Sequence, residues 1–233
     1  MKRTQPIIIL LTFLLLGCKS KSSDPEFLKT FSGRYLYTDD ETISVHAKEN
    51  ILLLDWRGAE NIVPMKVNDD TYYVKEMNTK IQFLINPDDG KRYLVFVPKV
   101  KNTPIEYTFV KVADSFKTPS EYFNDGNFDK ALEGYLNIQK KDSLNPIIEE
   151  WKINRNGYYY LRKNDFKKAL ALFSLNIALY PNSTNVYDSY AEGLYKSGDT
   201  ARAIINYQKV LRMDSGNRNA KQQLERLQKK REN

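Results

Sequence analysis

The sequence predicts an α+β protein of two domains. The first is a small antiparallel β-barrel or sheet of about eight strands, and the second is an α-helical array of about three repeats with a capping helix. Two observations support this prediction. Between positions 26 and 112 apolar residues alternate with polar ones, and turn residues recur about every 8 to 12 positions. Between positions 150 and 217 the sequence repeats itself with a period of about 34 residues.

The composition is that of a folded globular body. Of the 233 residues, 28% are charged and 41% are hydrophobic, which argues against bulk disorder. The formal net charge is +7, and there is one histidine and one cysteine. A single cysteine excludes an internal disulfide and a cysteine-only metal site. We therefore expect neither a metal nor another cofactor.

Residues 1–17 are predicted to be a signal peptide. Lys2 and Arg3 precede the apolar run Ile7–Leu16, which is shorter than the ~20 residues that cross a bilayer. The following string Leu15-Leu16-Gly17-Cys18 resembles the bacterial lipobox. That resemblance implies cleavage before Cys18 and acylation of this cysteine, with palmitate among the chains expected. An ordinary secretory leader with an incidental cysteine is the alternative.

Residues 18–25 are predicted to be a flexible tether, because they are polar and end in a proline. Two or three acyl chains on Cys18 would give stable membrane anchoring. Lys19 follows the cysteine where aspartate favours retention in the inner membrane of well-studied Gram-negative bacteria. By that resemblance we expect an outer-membrane location in the cell envelope, on either the periplasmic or the surface face.

Residues 26–112 are predicted to form the β-domain. Its candidate strands are Gly33–Tyr37, Thr42–Ala47, Ile51–Trp56, Ile62–Val67, Thr71–Glu76, Lys80–Ile85, Tyr93–Pro98 and Glu106–Val112. Eight strands suffice to close a barrel with a filled interior or one small cavity. Trp56, Tyr72 and Tyr73 could line the mouth of such a cavity or belong to the core. His46 alternates outward with the polar residues of its strand.

Four apolar strings of the β-domain resemble a small β-barrel module. They are Gly33-Arg34-Tyr35, Ile43-Ser44-Val45, Ile51-Leu52-Leu53-Leu54 and Ile81-Gln82-Phe83. This module often follows the catalytic domain of bacterial serine hydrolases of the β-lactamase-like superfamily.

Residues 120–231 are predicted to be helical, with a degenerate repeat at 120–145, repeats at 150–183 and 184–217, and a cap at 218–231. Gly157 and Ala191 occupy the same position in successive repeats, as do Ala169 and Ala203, and small residues there let paired helices approach closely. The matching aromatics Phe173 and Tyr207 fill the space toward the next pair. A period of about 34 residues with this pattern is typical of tetratricopeptide repeats.

Two strings in this region are more specific than a general repeat. Tyr180-Pro181-Asn182-Ser183 and Asp188-Ser189-Tyr190-Ala191-Glu192 resemble the C-terminal helical tail of secreted β-lactamase-like serine hydrolases from the Bacteroidetes group. Those hydrolases have an N-terminal catalytic domain, for which we find no counterpart in this sequence. Neither Ser-x-x-Lys nor Gly-x-Ser-x-Gly occurs, and no aromatic-interleaved basic stripe is evident. We therefore expect neither an enzyme nor a nucleic-acid-binding protein.

The resemblance to tetratricopeptide proteins implies an inner groove formed by the first helix of each repeat. Carried over by register, the groove residues are Trp151, Asn154, Tyr158, Leu161, Arg162, Asn185, Asp188, Glu192, Tyr195 and Lys196. We predict a non-catalytic, lipid-anchored scaffold that binds an unknown protein or peptide there. The same residues could instead contact the β-domain or a terminal helix of the chain. The alternative functions are a barrel that binds a glycan or a lipid, and an accessory subunit of a separate serine hydrolase.

Overall fold

The structure, a computed structural model, describes residues 22–232. These residues cluster into two units. The sheet unit comprises residues up to 37 and residues 43–114, and the helical unit comprises residues 38–42 and the chain from Ser115 onward. The predicted signal peptide and Cys18 lie outside the described residues.

In the described part of the chain, nine antiparallel strands form one sheet with the order β4-β3-β2-β1-β9-β8-β7-β6-β5. The strands are β1 Gly33–Thr38, β2 Glu41–Lys48, β3 Ile51–Trp56, β4 Ala59–Ile62, β5 Met65–Lys66, β6 Thr71–Val74, β7 Thr79–Ile85, β8 Arg92–Phe96 and β9 Phe109–Val112. The antiparallel sheet is confirmed. Its first and last strands along the chain pair with each other inside the sheet, where Arg34 lies opposite Val112.

The sheet is rolled, as its connectivity requires. Strands β4 and β5 occupy opposite edges, yet only Val63 and Pro64 separate them in sequence. Ile62 and Met65 are three Cα steps apart and therefore at most about 11 Å from each other. The edges of a flat nine-stranded sheet would be about 38 Å apart. The sheet must therefore curl until its two edges come close.

The prediction of one strand at Ile62–Val67 is wrong. The structure has two strands in this region, β4 and β5, so the sheet has nine strands and not the predicted eight. Strand β4 begins earlier, at Ala59, because Arg57 and Gly58 form a tight hairpin turn with φ of 52° and 82°. It ends at Ile62, two residues before Pro64, which has no N–H to donate to a ladder. Strand β5 is a separate two-residue strand that pairs with β6.

The concave side of the sheet is filled by side chains and by a helix that we did not predict. Helix α1, Pro25–Phe31, begins after Asp24, whose carboxylate accepts hydrogen bonds from the N–H groups of Glu26 and Phe27. The Phe27 and Phe31 rings pack against Phe83, with centroid distances of 5.5 and 5.6 Å.

The predicted tether therefore differs from the structure at its C-terminal end. Ser23 is buried, its N–H donates to the Asn50 carbonyl at 2.7 Å, and its hydroxyl is 2.7 Å from the Tyr72 hydroxyl. Pro25, the last residue of the predicted tether, is the first residue of α1.

The helical unit contains seven further α-helices among the described residues. They are α2 Pro119–Asn124, α3 Phe128–Lys141, α4 Glu150–Arg162, α5 Phe166–Leu179, α6 Thr184–Lys196, α7 Thr200–Met213 and α8 Arg218–Glu232. A short 3-10 turn, Pro146–Ile148, precedes α4. We call α4, α6 and α8 the first helices, and α5 and α7 the second helices that follow α4 and α6.

The repeat period predicted from sequence is reproduced by the helix starts. The first helices begin at Glu150, Thr184 and Arg218, and the second helices at Phe166 and Thr200. Each second helix has an aspartate N-cap, as expected: Asp165 accepts from the Lys168 N–H, and Asp199 from the Arg202 N–H. The starts of α3 and α5 are farther apart than this period by about one helical turn.

The helices of each pair approach closely where the sequence places small residues. Ala169, Ala191 and Ala203 are fully buried. A Cβ atom added to Gly157 of α4 would lie 2.4 Å from the Phe173 ring of α5, which only glycine permits. Phe173 and Tyr207 are each 1% exposed. The roles that the sequence predicted for these small and aromatic residues are confirmed.

Candidate functional site

The predicted groove residues lie on the first helices, and several of them form hydrogen bonds from one first helix to the next. The Tyr158 hydroxyl of α4 donates to the Glu192 carboxylate of α6 at 2.9 Å. Burial, together with the negative charge of Glu192, raises the pKa of Tyr158 to about 12. The phenol therefore stays protonated and remains a donor at any physiological pH. Lys196 pairs with the other oxygen of Glu192 at 2.9 Å.

A second set of bonds joins α6 to α8. Both carboxylate oxygens of Asp188 accept from the Asn219 side-chain amide, at 3.0 and 2.9 Å. Burial raises the pKa of the Asp188 carboxyl, and the nearby charge of Glu192 raises it further. The Tyr195 hydroxyl accepts from the Arg226 guanidinium at 2.9 Å. Asp188 and Tyr195 therefore contact a terminal helix of the same chain, which was the alternative considered for the groove.

The remaining predicted residues fall into three kinds of environment. Asn185 donates to the Glu150 carboxylate at 2.8 Å. Trp151 is 55% exposed, and Arg162 is also exposed. Asn154 is half-buried, and its side-chain carbonyl oxygen is buried without a hydrogen-bond partner among the described residues.

The assignment of Leu161 to the groove is wrong. This side chain is 3% exposed and packs in a small core with Ala169 and Phe173. It points toward its own second helix because that side of α4 faces α5 rather than the groove.

Sequence reasoning missed two residues that complete this surface, Asn219 and Arg226 of α8. The register could have indicated both, since Asn219 occupies the same repeat position as Trp151 and Asn185, and Arg226 the same position as Tyr158 and Glu192. Helix α8 was interpreted as a cap, so its residues were not carried into the groove.

The sheet unit has a separate pocket of about 630 Å³ beside the β3–β4 hairpin. Its apolar lining includes Ile62, Met77 and Phe96, and the Arg57 guanidinium lies 4.3 Å from the centroid of the Trp56 ring at its edge. Tyr72 is not at a cavity mouth, because it is 1% exposed in the core.

Among residues 22–232, no group of three or more His, Cys, Asp or Glu side chains is arranged to bind a metal ion. None of the helices described has both the length and the apolar character that crossing a bilayer requires.

Comparison with known proteins supports the tetratricopeptide prediction at the level of sequence. No family model matches the chain. The TPR repeat-containing protein MJ1428 of Methanocaldococcus jannaschii is 33% identical over 100 residues, which cover 39% of this chain and 17% of that protein. The chain thus spans about a sixth of the length of this relative. Similarity to a tetratricopeptide-repeat protein is therefore confirmed, whereas the resemblance to tails of serine hydrolases stays a prediction.

The solved structures that match part of the chain include three tetratricopeptide domains. The first such domain of Spaghetti (RPAP3), bound to the HSP90 peptide SRMEEVD, is 20% identical with a TM-score of 0.35 and covers 49% of this chain and 88% of that one. The second domain of human RPAP3, in complex with an HSP70 peptide, is 18% identical with a TM-score of 0.33 and covers 47% and 88%. The Arabidopsis OM64 domain is 15% identical with a TM-score of 0.33 and covers 48% and 88%.

Proposed function

We propose that this protein is a non-catalytic scaffold that binds another protein through the groove of its first helices. The observation that supports this most is the set of bonds that link α4 to α6 and α6 to α8, at Tyr158–Glu192 and Asp188–Asn219. These bonds fix the spacing and orientation of three helices before a partner arrives. A surface ordered in advance loses less conformational entropy on binding than a mobile one.

The chemistry of the groove suits a polar protein surface or a peptide backbone. It presents carboxylates, amides, phenols and cations together with the exposed indole of Trp151. Interfaces of this type combine an aromatic anchor with a polar surround.

The groove is tested by capture of membrane and envelope proteins on the purified, immobilised protein. The groove variant combines Asn185→Ala, Asp188→Asn and Glu192→Gln, all on α6. The control variant combines Ile205→Ala, Gln208→Ala and Arg212→Ala on the exposed side of α7 of the same pair. We expect a partner that wild type and control retain and that the groove variant loses. Equal recovery of every protein on all three would refute the groove assignment.

We also propose that a lipid on Cys18 anchors the protein to the bacterial outer membrane. Ser23 is bonded to the sheet unit, so four residues, 19–22, separate this attachment from Cys18 in sequence. The five Cα steps from Cys18 to Ser23 span at most about 19 Å, so the sheet unit would lie close to the membrane surface. Cys18→Ser should move the protein from the membrane fraction to the soluble fraction. Retention of the variant in membranes would contradict lipid anchoring.

The pocket beside Trp56 supports a second candidate, in which the sheet unit binds a single-chain lipid. Its apolar lining fits an acyl chain, and the cations of Arg57 and Lys99 fit an anionic head group. The chain has two tryptophans, so Trp151→Phe leaves Trp56 as the sole indole reporter. Titration with dodecanoate should change its emission, and Met77→Glu should abolish that change. An unchanged emission spectrum would exclude this candidate.

A further inference from the structure

One exposed row of α4 alternates aromatic and cationic side chains. The row consists of Trp151, Arg155 and Tyr159 of α4 and of Lys163, the C-cap residue of this helix, each four positions from the next, and we call it the α4 stripe. Residues at this spacing are neighbours on a helix surface. The Arg155 guanidinium lies 4.8 Å from the Trp151 ring centroid, and the Lys163 amine lies 4.3 Å from that of Tyr159. The two rings are 55% and 45% exposed.

The two cations of the α4 stripe have no acidic partner. Within residues 22–232, no carboxylate lies at ion-pair distance from Arg155 or Lys163. By contrast, Lys152 of the same helix pairs with Glu149 at 3.2 Å, and Lys196 of α6 pairs with Glu192 at 2.9 Å. The stripe is therefore a positively charged strip with apolar rings between its charges.

The equivalent row of α6 has different side chains and a different environment. At the same repeat positions as the stripe lie Asn185, Ser189, Gly193 and Ser197, which are all small or polar. A Cβ on Gly193 would lie 3.0 and 3.1 Å from Phe173 and Leu170 of the preceding second helix. Ser189 and Gly193 of this row are buried, Gly193 against α5, whereas Arg155 and Tyr159 at the same repeat positions in α4 are large and exposed.

The irregular start of the array explains why the stripe is uncovered. Helix α2 has six residues where α4 and α6 have thirteen, and the 3-10 turn Pro146–Ile148 lengthens the connection from α3 to α4. A pocket of about 320 Å³ remains at this junction, lined in part by Phe123, Tyr135 and Tyr159. An apolar side chain could enter it next to the charged row.

We infer that the α4 stripe binds an acidic segment of a partner protein, with carboxylates on Arg155 and Lys163 and an apolar side chain in the adjacent pocket. The inference rests on the proposed role of the helical unit in protein binding. Trp151 belongs to both the groove and the stripe, whereas Arg155, Tyr159 and Lys163 are outside the predicted groove, and none of the four is changed in the groove variant of α6. The stripe is about 18 Å long, which matches about five residues of extended chain. The contacts use side chains throughout and need no terminal carboxylate.

Charge and length favour a peptide over a nucleic acid on this surface. Two cations, of which Lys163 already donates to the Tyr159 hydroxyl, would neutralise only about two phosphates, whereas nucleic-acid affinity at physiological salt comes from many such contacts. The exposed indole and phenol instead provide apolar area of the kind that dominates protein interfaces. A peptide segment with two acidic residues and an apolar residue between them would contact both the cations and the exposed rings of the stripe.

The test uses the purified protein and a fluorescently labelled, end-capped peptide Glu-Leu-Glu-Phe-Glu, with its Gln-Leu-Gln-Phe-Gln counterpart as the neutral probe. Fluorescence anisotropy should show binding of the acidic peptide only. The variant Arg155→Gln/Lys163→Gln should weaken it on the order of 10-fold, as should raising the salt from about 50 to about 200 mM. The matched variant Arg212→Gln/Lys221→Gln removes two exposed charges elsewhere and should change affinity less than about 2-fold.

Three results would overturn this inference. They are equal binding of the neutral peptide, equal affinities of the two charge variants, and stripe-dependent binding that is tighter for a uridine dodecamer or for phosphatidylglycerol vesicles than for the peptide. Far-UV circular dichroism of each variant checks that the helices persist. Trp151→Phe retains a ring and should keep most of the affinity while it loses the associated change in indole emission.

The groove variant of α6 separates this inference from the proposed function. If the stripe is the acidic-peptide site, Asn185→Ala/Asp188→Asn/Glu192→Gln should leave peptide affinity unchanged. If, in the capture experiment, the groove variant loses a partner that the stripe variant retains, that result would support binding of this partner to the groove and would refute a role of the stripe in binding it. Loss of peptide binding in the groove variant alone would refute the assignment to the stripe.

Discussion

The two units of this chain are stabilised by contacts of different range. In the sheet unit, β1 pairs with β9, so Arg34 lies beside Val112. In the helical unit, the bonds between first helices join residues about one repeat apart, 34 positions for Tyr158–Glu192 and 35 for Asn185–Glu150. A rolled sheet with a shared core is expected to lose its structure as a whole, whereas stacked helix pairs interact mainly with their neighbours. The sequence pattern is also easier to interpret where contacts are local.

The largest loss of folding stability is expected from Phe83→Ala in the sheet unit. The Phe83 ring is 1% exposed and contacts the rings of Phe27, Phe31, Tyr35 and Tyr72 at centroid distances of 5.5 to 6.1 Å. Removal of a buried phenylalanine costs about 3–5 kcal/mol. Hydrogen exchange should show that amides in all long strands lose protection together while those of α4 to α7 keep theirs. Loss confined to β7 would contradict a cooperative sheet.

A smaller and graded effect is expected from two glycines of the helical unit. A Cβ at Gly157 would meet Phe173 at 2.4 Å, whereas one at Gly193 would meet Phe173 and Leu170 at 3.0 and 3.1 Å. Overpacking of a core typically costs about 1–3 kcal/mol, against which alanine gains up to about 1 kcal/mol in helix propensity. Urea unfolding should therefore show a clear loss for Gly157→Ala and a change near zero for Gly193→Ala. Equal losses would mean that the two contacts between helices are equally tight.

The difference in contact range also explains what the sequence predicted correctly. The starts of α4 to α8 follow from the repeat period, because each position has the same neighbours in every repeat. Helix α1 was missed because it depends on a distant partner: its rings need Phe83, which is more than fifty positions away. Strand β4 pairs locally with β3 around two residues with positive φ, but it was missed because Ile62 is its one buried residue and it shows no apolar alternation.

The candidate groove, too, could be predicted only in part from the repeat pattern. Register placed the polar groove residues on the first helices, yet it also assigned Leu161, which faces α5. It could not show that Asp188 and Tyr195 bond to α8, since a period identifies equivalent positions and not the atoms that meet. The α4 stripe was overlooked for a related reason. Its residues stand where the repeat pattern has no fixed preference, and their exposure depends on the short α2.

A still smaller loss of folding stability is expected when the N-cap aspartates of the second helices are replaced. Asp165 and Asp199 each accept a hydrogen bond from the first turn of the helix that follows. Replacement of an N-cap aspartate by alanine costs about 1 kcal/mol. Because the repeats contact mainly their neighbours, hydrogen exchange should accelerate in α5 for Asp165→Ala and in α7 for Asp199→Ala. Asp129→Ala, an exposed first-turn acid of α3, serves as the control. Equal acceleration in all helices would contradict local stabilisation.

The smallest change in folding stability is expected from Asp188→Asn, and this change should depend on pH. Burial and the charge of Glu192 raise the pKa of Asp188 above its ordinary value of 3.8. The folded state therefore binds this proton more readily than the unfolded state, so the carboxyl favours folding at low pH, and that contribution is lost as the pH rises through the raised pKa. Asparagine does not ionise. At pH 7 the variant should be more stable than wild type by about 0.5 kcal/mol or less, because solvent screens a half-exposed group. Urea midpoints at pH 7 and near pH 3.5 should show that the advantage disappears at the lower pH. An advantage that is the same at both pH values would indicate that the altered bond to Asn219, and not the charge, determines the change.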